Sequence, residues 1–145
     1  MKSELDPITD DEWLLRRVHI DNFSSAGVLD NTFKPRISGR DPDRNGISLY
    51  RCSCLLNPTD ILAAIPEVRK RDSGIIQIPV SLIREMGLSV VSDADECVRG
   101  HVVIPELNAD YYKANKLRCA SLMAQLAAIA SDPANILLRP SPRVS

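Results

Sequence analysis

Aromatic residues are scarce in this sequence, and so is a charge excess of either sign. Two Phe, one Trp and three Tyr make up 4% of the 145 residues, so few rings are present on which nucleic-acid bases could stack. The 18 basic and 19 acidic residues leave a net charge of -1, so no overall field attracts a phosphate backbone or an anionic lipid surface. We therefore expect no membrane association, and nucleic-acid binding only through a local basic patch.

Long hydrophobic runs and the common catalytic motifs are also missing. No apolar run reaches the length of a membrane span, and residues 1–11 are acidic where a secretory signal would be basic and then apolar. We therefore expect a cytoplasmic protein whose four cysteines stay reduced. The chain contains no P-loop, GxGxxG, HExxH or Ca²⁺-loop pattern, so the usual signals of nucleotide and metal enzymes are absent from it.

What is present is the composition of one ordinary folded domain, with 44% hydrophobic and 26% charged residues. Short runs of β-prone and apolar residues, one of them alternating, predict strands at 13–19, 47–52, 75–78, 88–91 and 101–104. Capping and proline signals predict a helix from Pro58, a short one after Pro79 and a long one over 108–131. This order predicts an α+β fold with a mixed sheet of about five strands.

The predicted domain boundaries follow from the same patterns. Residues 1–12 are interpreted as an acidic N-terminal segment, 13–131 as a single globular α+β domain and 132–145 as a mobile C-terminal tail. Asp93 and its acidic neighbours form the predicted hairpin tip between the last two strands. No internal repeat or domain linker interrupts the chain.

Two segments suggest contact surfaces. The loop over 20–45 is rich in Ser, Gly, Asp, Asn and Pro, and loops of this length in a compact domain are often functional. Its basic residues could form a positive patch with Arg16 and Arg17, although interleaved Asp41 and Asp43 favour a solvated, internally paired loop. The final helix is apolar on more than one stripe, so it is either a central core helix or one partly covered by another chain.

A set of polar residues on the predicted strands suggests a site. It consists of Arg16, Arg17, His19, Ser48, Tyr50 and Glu106. On a strand, Arg17 and His19 share one face, and Arg16 lies on the other. The alternative interpretation is that Arg17 and His19 are half-exposed strand residues and that Tyr50 belongs to the core.

The segment 15–19, the Gly/Arg-rich loop and 48–50 together resemble the start of ADP-ribosyltransferase-like domains of the RES type. This resemblance implies an enzyme that uses NAD. It also implies that Arg17 grips a dinucleotide phosphate, Tyr50 braces the nicotinamide and Glu106 orients the ribose. A guanidinium suits the first role because it holds a pyrophosphate bidentately.

The cysteines offer a weaker alternative. Cys52, Cys54, Cys97 and His101 could supply zinc ligands, but zinc sites usually use pairs separated by two to four residues, and one residue separates Cys52 from Cys54. A Cys/His hydrolase would need one of these thiols beside His19 or His101, without any recognised motif. We therefore predict no metal and no cofactor.

Residues 16–19 and 100–104 also resemble, more broadly, small uncharacterised bacterial accessory proteins. The leading hypothesis is accordingly a non-catalytic protein-interaction module, an accessory subunit of a bacterial cytoplasmic complex that binds another protein or a second copy of itself. Its predicted contact residues are Arg36, Arg40, Arg44, Leu122 and Leu126.

Two alternatives remain open. One is a diverged NAD-using ADP-ribosyltransferase-like enzyme or NAD glycohydrolase with Arg17, Tyr50 and Glu106 in its site. The other is a nucleic-acid-binding accessory protein that uses the arginine loop.

Overall fold

A computed structural model describes residues 1–95 and 97–141 and confirms the predicted α+β class. The α-helices are α1 (Glu67–Lys70), α2 (Val80–Glu85), α3 (Ala109–Ala114) and α4 (Lys116–Ala130). None of the helices in the described ranges combines the length and the apolar character needed to cross a membrane.

One antiparallel sheet organises the chain. The strands are β1 (Trp13–His19), β2 (Phe23–Ser24), β3 (Gly27–Val28), β4 (Ile47–Arg51), β5 (Ser73–Pro79), β6 (Val91–Ser92), β7 (His101–Ile104) and β8 (Ile136–Leu138). Six of them form the main sheet in the order β6-β7-β4-β1-β5-β8, and β2 pairs with β3 separately. Every pairing among the described strands is antiparallel, so the predicted mixed sheet of about five strands is, in the described part of the chain, six-stranded and antiparallel.

The central strand β1 is paired unequally on its two sides. It pairs with β5 along its whole length but with β4 only at Leu14↔Arg51 and Leu15↔Tyr50. From Arg16 onward, the backbones of β1 and β4 no longer pair, although β4 continues to pair with β7. We call this separation the β1–β4 fork.

Helix α4 covers one face of the sheet with its own apolar stripe. Cys119, Leu122, Met123, Leu126, Ala127 and Ala130 are buried against strand residues such as Leu14, Ile47 and Leu49. Leu122 is 6% exposed and Leu126 is fully buried, so these two predicted partner contacts belong to the chain's own core. The opposite face carries a smaller cluster of Leu15, Ile61, Leu62, Ile75 and Val98.

Several predicted elements differ from the structure. The strand expected over 88–91 is the short β6 (Val91–Ser92), and the helix expected from Pro58 is a 3-10 helix, Pro58–Leu62. The helix expected over 108–131 is divided at Asn115, whose backbone has φ -137° and whose side-chain amide donates to the Tyr111 carbonyl 3.2 Å away. Such a local bond competes with helix continuation. Part of the segment predicted as a tail lies in the sheet, because β8 pairs with β5 through Ile75 and Ile76. Residues 142–145 of that segment lie outside the described residues.

Arg51 holds the N-terminal segment against the body. Its side chain is fully buried, as the alternation of β4 requires, and it donates to Glu12 through Nε at 2.8 Å and Nη2 at 3.0 Å. Its Nη1 also donates to the Asp6 carbonyl at 2.8 Å. A buried charge needs a counter-ion and hydrogen bonds, and the N-terminal segment supplies both to Arg51. Residues 1–12, which the sequence predicts to lie outside the globular domain, are therefore held against it.

The same contacts set the titration of Glu12. Burial alone would raise its pKa, but hydrogen bonds from Arg51, Ser53 and the Thr9 backbone outweigh burial and lower the pKa from 4.5 to about 2. A depressed pKa in the folded state stabilises the fold above the unfolded value, and the gain disappears as pH falls toward the folded value.

We therefore expect the free energy of unfolding to fall between about pH 5 and pH 2, with about 3 kcal/mol of the loss owed to Glu12. Glu12→Gln should lack this component and should be less stable at pH 7 by about 3 kcal/mol, because it leaves Arg51 without its counter-ion. Urea unfolding across this pH range measures both effects. Glu67→Gln is the control, because the Glu67 side chain is 89% exposed. It should leave the fall in unfolding free energy at low pH unchanged. If the free energy of unfolding of Glu12→Gln fell with pH as steeply as that of the wild type, this account would be contradicted.

Candidate anion-binding site

A cavity of about 270 Å³ lies at the β1–β4 fork. Its lining residues are Arg16, Arg17, Arg36, Asp43, Ser48, Tyr50, Ile61, Ala64 and Ile65. The cavity therefore gathers three guanidinium groups, one carboxylate, two hydroxyl groups and an apolar wall.

Arg16 is fixed at the point where the strands separate. Its Nε donates to the Thr32 carbonyl at 2.8 Å, its Nη1 donates to the Ser48 carbonyl at 2.6 Å, and its guanidinium lies 5.8 Å from the centre of the Phe33 ring. A β4 carbonyl thus receives a hydrogen bond from a β1 side chain where the two strands do not pair. Burial lowers the pKa of Arg16 to about 10, an effect that Asp43 opposes.

Arg17 and Arg36 are held less tightly. Nη1 of Arg17 lies 3.4 Å from Ser73 Oγ, and Nη1 of Arg36 donates to the Asp41 carbonyl at 3.3 Å. Burial lowers the pKa of Arg17, and the nearby cations Arg69 and Arg36 add to the shift. Among the described residues, no carboxylate lies within 4.0 Å of any of the three cavity arginines.

Asp43, the one carboxylate in the described lining, shapes the loop. Its Oδ2 accepts the Arg36 backbone N–H at 2.7 Å, and its own N–H donates to the Arg36 carbonyl at 2.8 Å. Its carbonyl accepts the Ala109 N–H at 2.9 Å, which ties the loop to α3. Asp43 therefore folds the loop back so that Arg36 reaches the fork.

A second polar group, on β4 and β7, adjoins the cavity. Ser48 Oγ is 2.8 Å from Nε2 of His101, and Nδ1 of His101 is hydrogen-bonded to the Asp93 carbonyl. The Tyr50 and His101 rings are 5.2 Å apart between their centres. Burial and then Asp95 raise the pKa of Tyr50, and Arg16 partly offsets the rise.

The structure brings together four of the six polar residues that the sequence singled out. Arg16, Arg17, Ser48 and Tyr50 share the cavity, and Tyr50 is half-buried there. The other two lie elsewhere.

His19 is at the far end of β1, where it accepts the Asp21 N–H at 3.1 Å, two strands away from β7 in the sheet. Glu106 accepts the Ser89 N–H at 2.6 Å and does not line the cavity. The predicted set of Arg17, Tyr50 and Glu106 is therefore not a single site in this structure.

The remaining predicted residues divide between the surface and the core. Arg36, Arg40 and Arg44 are all exposed; Arg36 lines the cavity, and Arg40 and Arg44 do not. All four cysteines are free thiols. Within residues 1–95 and 97–141, no three His, Cys, Asp or Glu side chains are grouped closely enough to hold a metal ion.

Sequence reasoning missed the contact between Ser48 and His101. The sequence places Ser48 and His101 in different candidate sites, because no local pattern predicts which strand pairs with which. The alternation of β4 does put Ser48 and Tyr50 on one face, and the β4–β7 register then brings His101 opposite Tyr50.

No family model, no curated protein and no solved structure matches this chain. The resemblance to RES-type domains therefore stays a prediction, and the site is interpreted from its own geometry.

Arg16→Met should lower the free energy of unfolding by about 2–4 kcal/mol, because it leaves the Thr32 and Ser48 carbonyls without their donor. Arg17→Met should cost less than about 1 kcal/mol, since its one hydrogen bond is long. Urea unfolding of the two variants at neutral pH makes the comparison. Equal costs would mean that Arg16 does not hold the fork.

Proposed function

We propose that this protein binds a small phosphorylated compound in the cavity at the β1–β4 fork. The observation that carries the proposal is the charge of that cavity. Arg16, Arg17 and Arg36 line one space, and no described carboxylate is close enough to form an ion pair with any of them. An anion supplied from solution would complete the site.

Desolvation supports an anionic ligand. Burial lowers the pKa values of Arg16 and Arg17, which means that the surroundings disfavour their charged forms. Bringing cations together in a partly buried space costs free energy unless a counter-charge is present. A phosphate group offers that charge, and its oxygens match the donor fork of a guanidinium.

The size of the cavity limits the ligand. Its volume of about 270 Å³ is slightly below the range of about 300–1,000 Å³ typical of small-molecule sites. A phosphate and one small apolar or aromatic substituent fit that volume, with the substituent against Ile61, Ala64 and Ile65. A dinucleotide would leave most of its atoms outside.

The proposal keeps part of the NAD hypothesis. Arg17 and Tyr50 lie in the cavity, so a phosphate grip beside an aromatic ring is compatible with the resemblance to RES-type domains. The carboxylate expected to orient the ribose is Glu106, which is engaged by Ser89 outside the cavity. We therefore favour phosphate binding over consumption of NAD⁺.

Isothermal titration calorimetry with inorganic phosphate, AMP and NAD⁺ tests the proposal. We expect all three to bind competitively, and Arg17→Met or Arg36→Met to weaken binding by about 10- to 100-fold through the loss of a charge-assisted hydrogen bond. Arg40→Met removes the same charge from the same loop outside the cavity and should change nothing. Equal weakening by Arg40→Met, or no binding of any phosphate, would refute the site. Consumption of NAD⁺ would revive the transferase hypothesis.

A second proposal is the accessory-subunit function. Arg40 and Arg44 support it because both are exposed to a partner. The apolar contact residues of the hypothesis, Leu122 and Leu126, do not support it, because they are buried in the chain's own core. Light scattering of the protein purified from its native host, with mass spectrometry of co-purifying chains, should find an assembly that Arg40→Glu disrupts. A strict monomer without a partner would refute it. Retention on heparin that weakens with salt would favour nucleic-acid binding instead.

A further inference from the structure

We propose that Ser48 is a nucleophile activated by His101, so that the site hydrolyses a phosphate monoester. The inference rests on the proposed phosphate site and adds a reaction to it. Its basis is the hydrogen-bonded series from Ser48 through His101 to Asp93, which begins in the wall of the arginine cavity.

The hydrogen bonds determine which nitrogen of His101 can act as a base. Nδ1 faces the Asp93 backbone carbonyl, which can only accept, so Nδ1 carries the proton of the neutral ring. Nε2 is therefore the unprotonated nitrogen, and it lies 2.8 Å from Ser48 Oγ. The hydroxyl donates to Nε2, which is the arrangement required for a base to remove its proton.

The surroundings hold the imidazole in this orientation. The His101 side chain is 10% exposed, and the Tyr50 ring packs at 5.2 Å between centres. The Asp93 carboxylate also lies 3.7 Å from Nδ1. Because the Asp93 carbonyl belongs to the backbone, the tautomer is set by the β6–β7 connection itself.

The arginines supply the other half of the chemistry. Nη1 of Arg16 is 2.6 Å from the carbonyl of Ser48 itself, so a cation is fixed beside the nucleophilic residue. Arg17 and Arg36 line the same cavity and are available to the non-bridging oxygens of a bound phosphoryl group. Fixed cations at those oxygens stabilise the transition state of phosphoryl transfer.

The reaction has two balanced steps. In the first, Ser48 Oγ forms a bond to phosphorus, its proton passes to Nε2 of His101, the ester P–O bond breaks, and the leaving alcohol takes that proton. In the second, water attacks the phosphoserine, Nε2 takes a proton from the water, the Oγ–P bond breaks, and the proton returns to Oγ. The products are an alcohol and inorganic phosphate, with no oxidant or reductant needed.

Hydrolysis of p-nitrophenyl phosphate by the purified protein is the test, with acid quenching and peptide mass spectrometry to detect a phosphoryl group on Ser48. We expect turnover and a phosphorylated Ser48 peptide in the wild type. Ser48→Ala should abolish both, and His101→Asn should slow turnover by about 10²- to 10⁴-fold. Both variants should still bind inorganic phosphate, which separates lost chemistry from a lost fold or a lost site.

Ser89→Ala and His19→Asn are matched controls, because both residues lie outside the cavity, and both should keep wild-type turnover. Turnover that persists in Ser48→Ala would overturn the inference. Wild-type protein that binds inorganic phosphate without hydrolysing the ester would overturn it as well, while leaving the phosphate site standing. Failure to bind inorganic phosphate would remove both.

Discussion

The guanidinium of Arg16 is the contact on which the site depends. It donates to carbonyls of Thr32 and Ser48 at the place where β1 and β4 stop pairing. Two strands in a regular antiparallel ladder leave no room between them for a ligand. Because a side chain satisfies the β4 carbonyl here, the strands separate without leaving it unpaired, and the loop that carries Arg36 and Asp43 closes over the gap.

Two arginines lie toward opposite ends of the β1–β4 pairing and differ in how their charges are met. Arg51 is fully buried, whereas Arg16 is half-buried. Arg51 is paired with Glu12 through two short hydrogen bonds, so its charge is neutralised within the chain. Among the described residues, Arg16 donates hydrogen bonds to two carbonyls, and its neighbours Arg17 and Arg36 add positive charge that Asp43 offsets in part. The charge of Arg51 is neutralised within the fold, whereas three cations beside one carboxylate, Asp43, leave an excess of positive charge that favours an anionic ligand. This contrast within a single strand pair is the physical reason why we assign a structural role to Arg51 and an anion-binding role to the β1–β4 fork.

The parts of the fold that could be predicted from sequence are those with a local cause. The residue pattern predicts strands over 13–19 and 47–52, and the structure has β1 with the predicted bounds and β4 ending one residue earlier, at Arg51. The apolar pattern of the final helix leaves open whether it is a core helix or is partly covered by another chain, because alanine counts as apolar in the pattern. In the structure, Ala120, Ala124 and Ala128 of α4 are exposed. Strand register has no local signal, so the pairing that brings His101 to Ser48 could not be read from the chain. The interleaved charges of the loop predict internal pairing, but they do not specify that Asp43 accepts the backbone N–H of Arg36 seven residues away.

A crystal structure of the protein grown with orthovanadate, an analogue of phosphate, tests the central claim most directly. The account predicts the anion in the β1–β4 fork, within hydrogen-bond distance of Arg17 and Arg36 and beside Ser48 Oγ, with Arg16 still bound to the Ser48 carbonyl. A fork closed by backbone pairing of β1 with β4, or arginines paired with carboxylates of the chain itself and no anion among them, would contradict it.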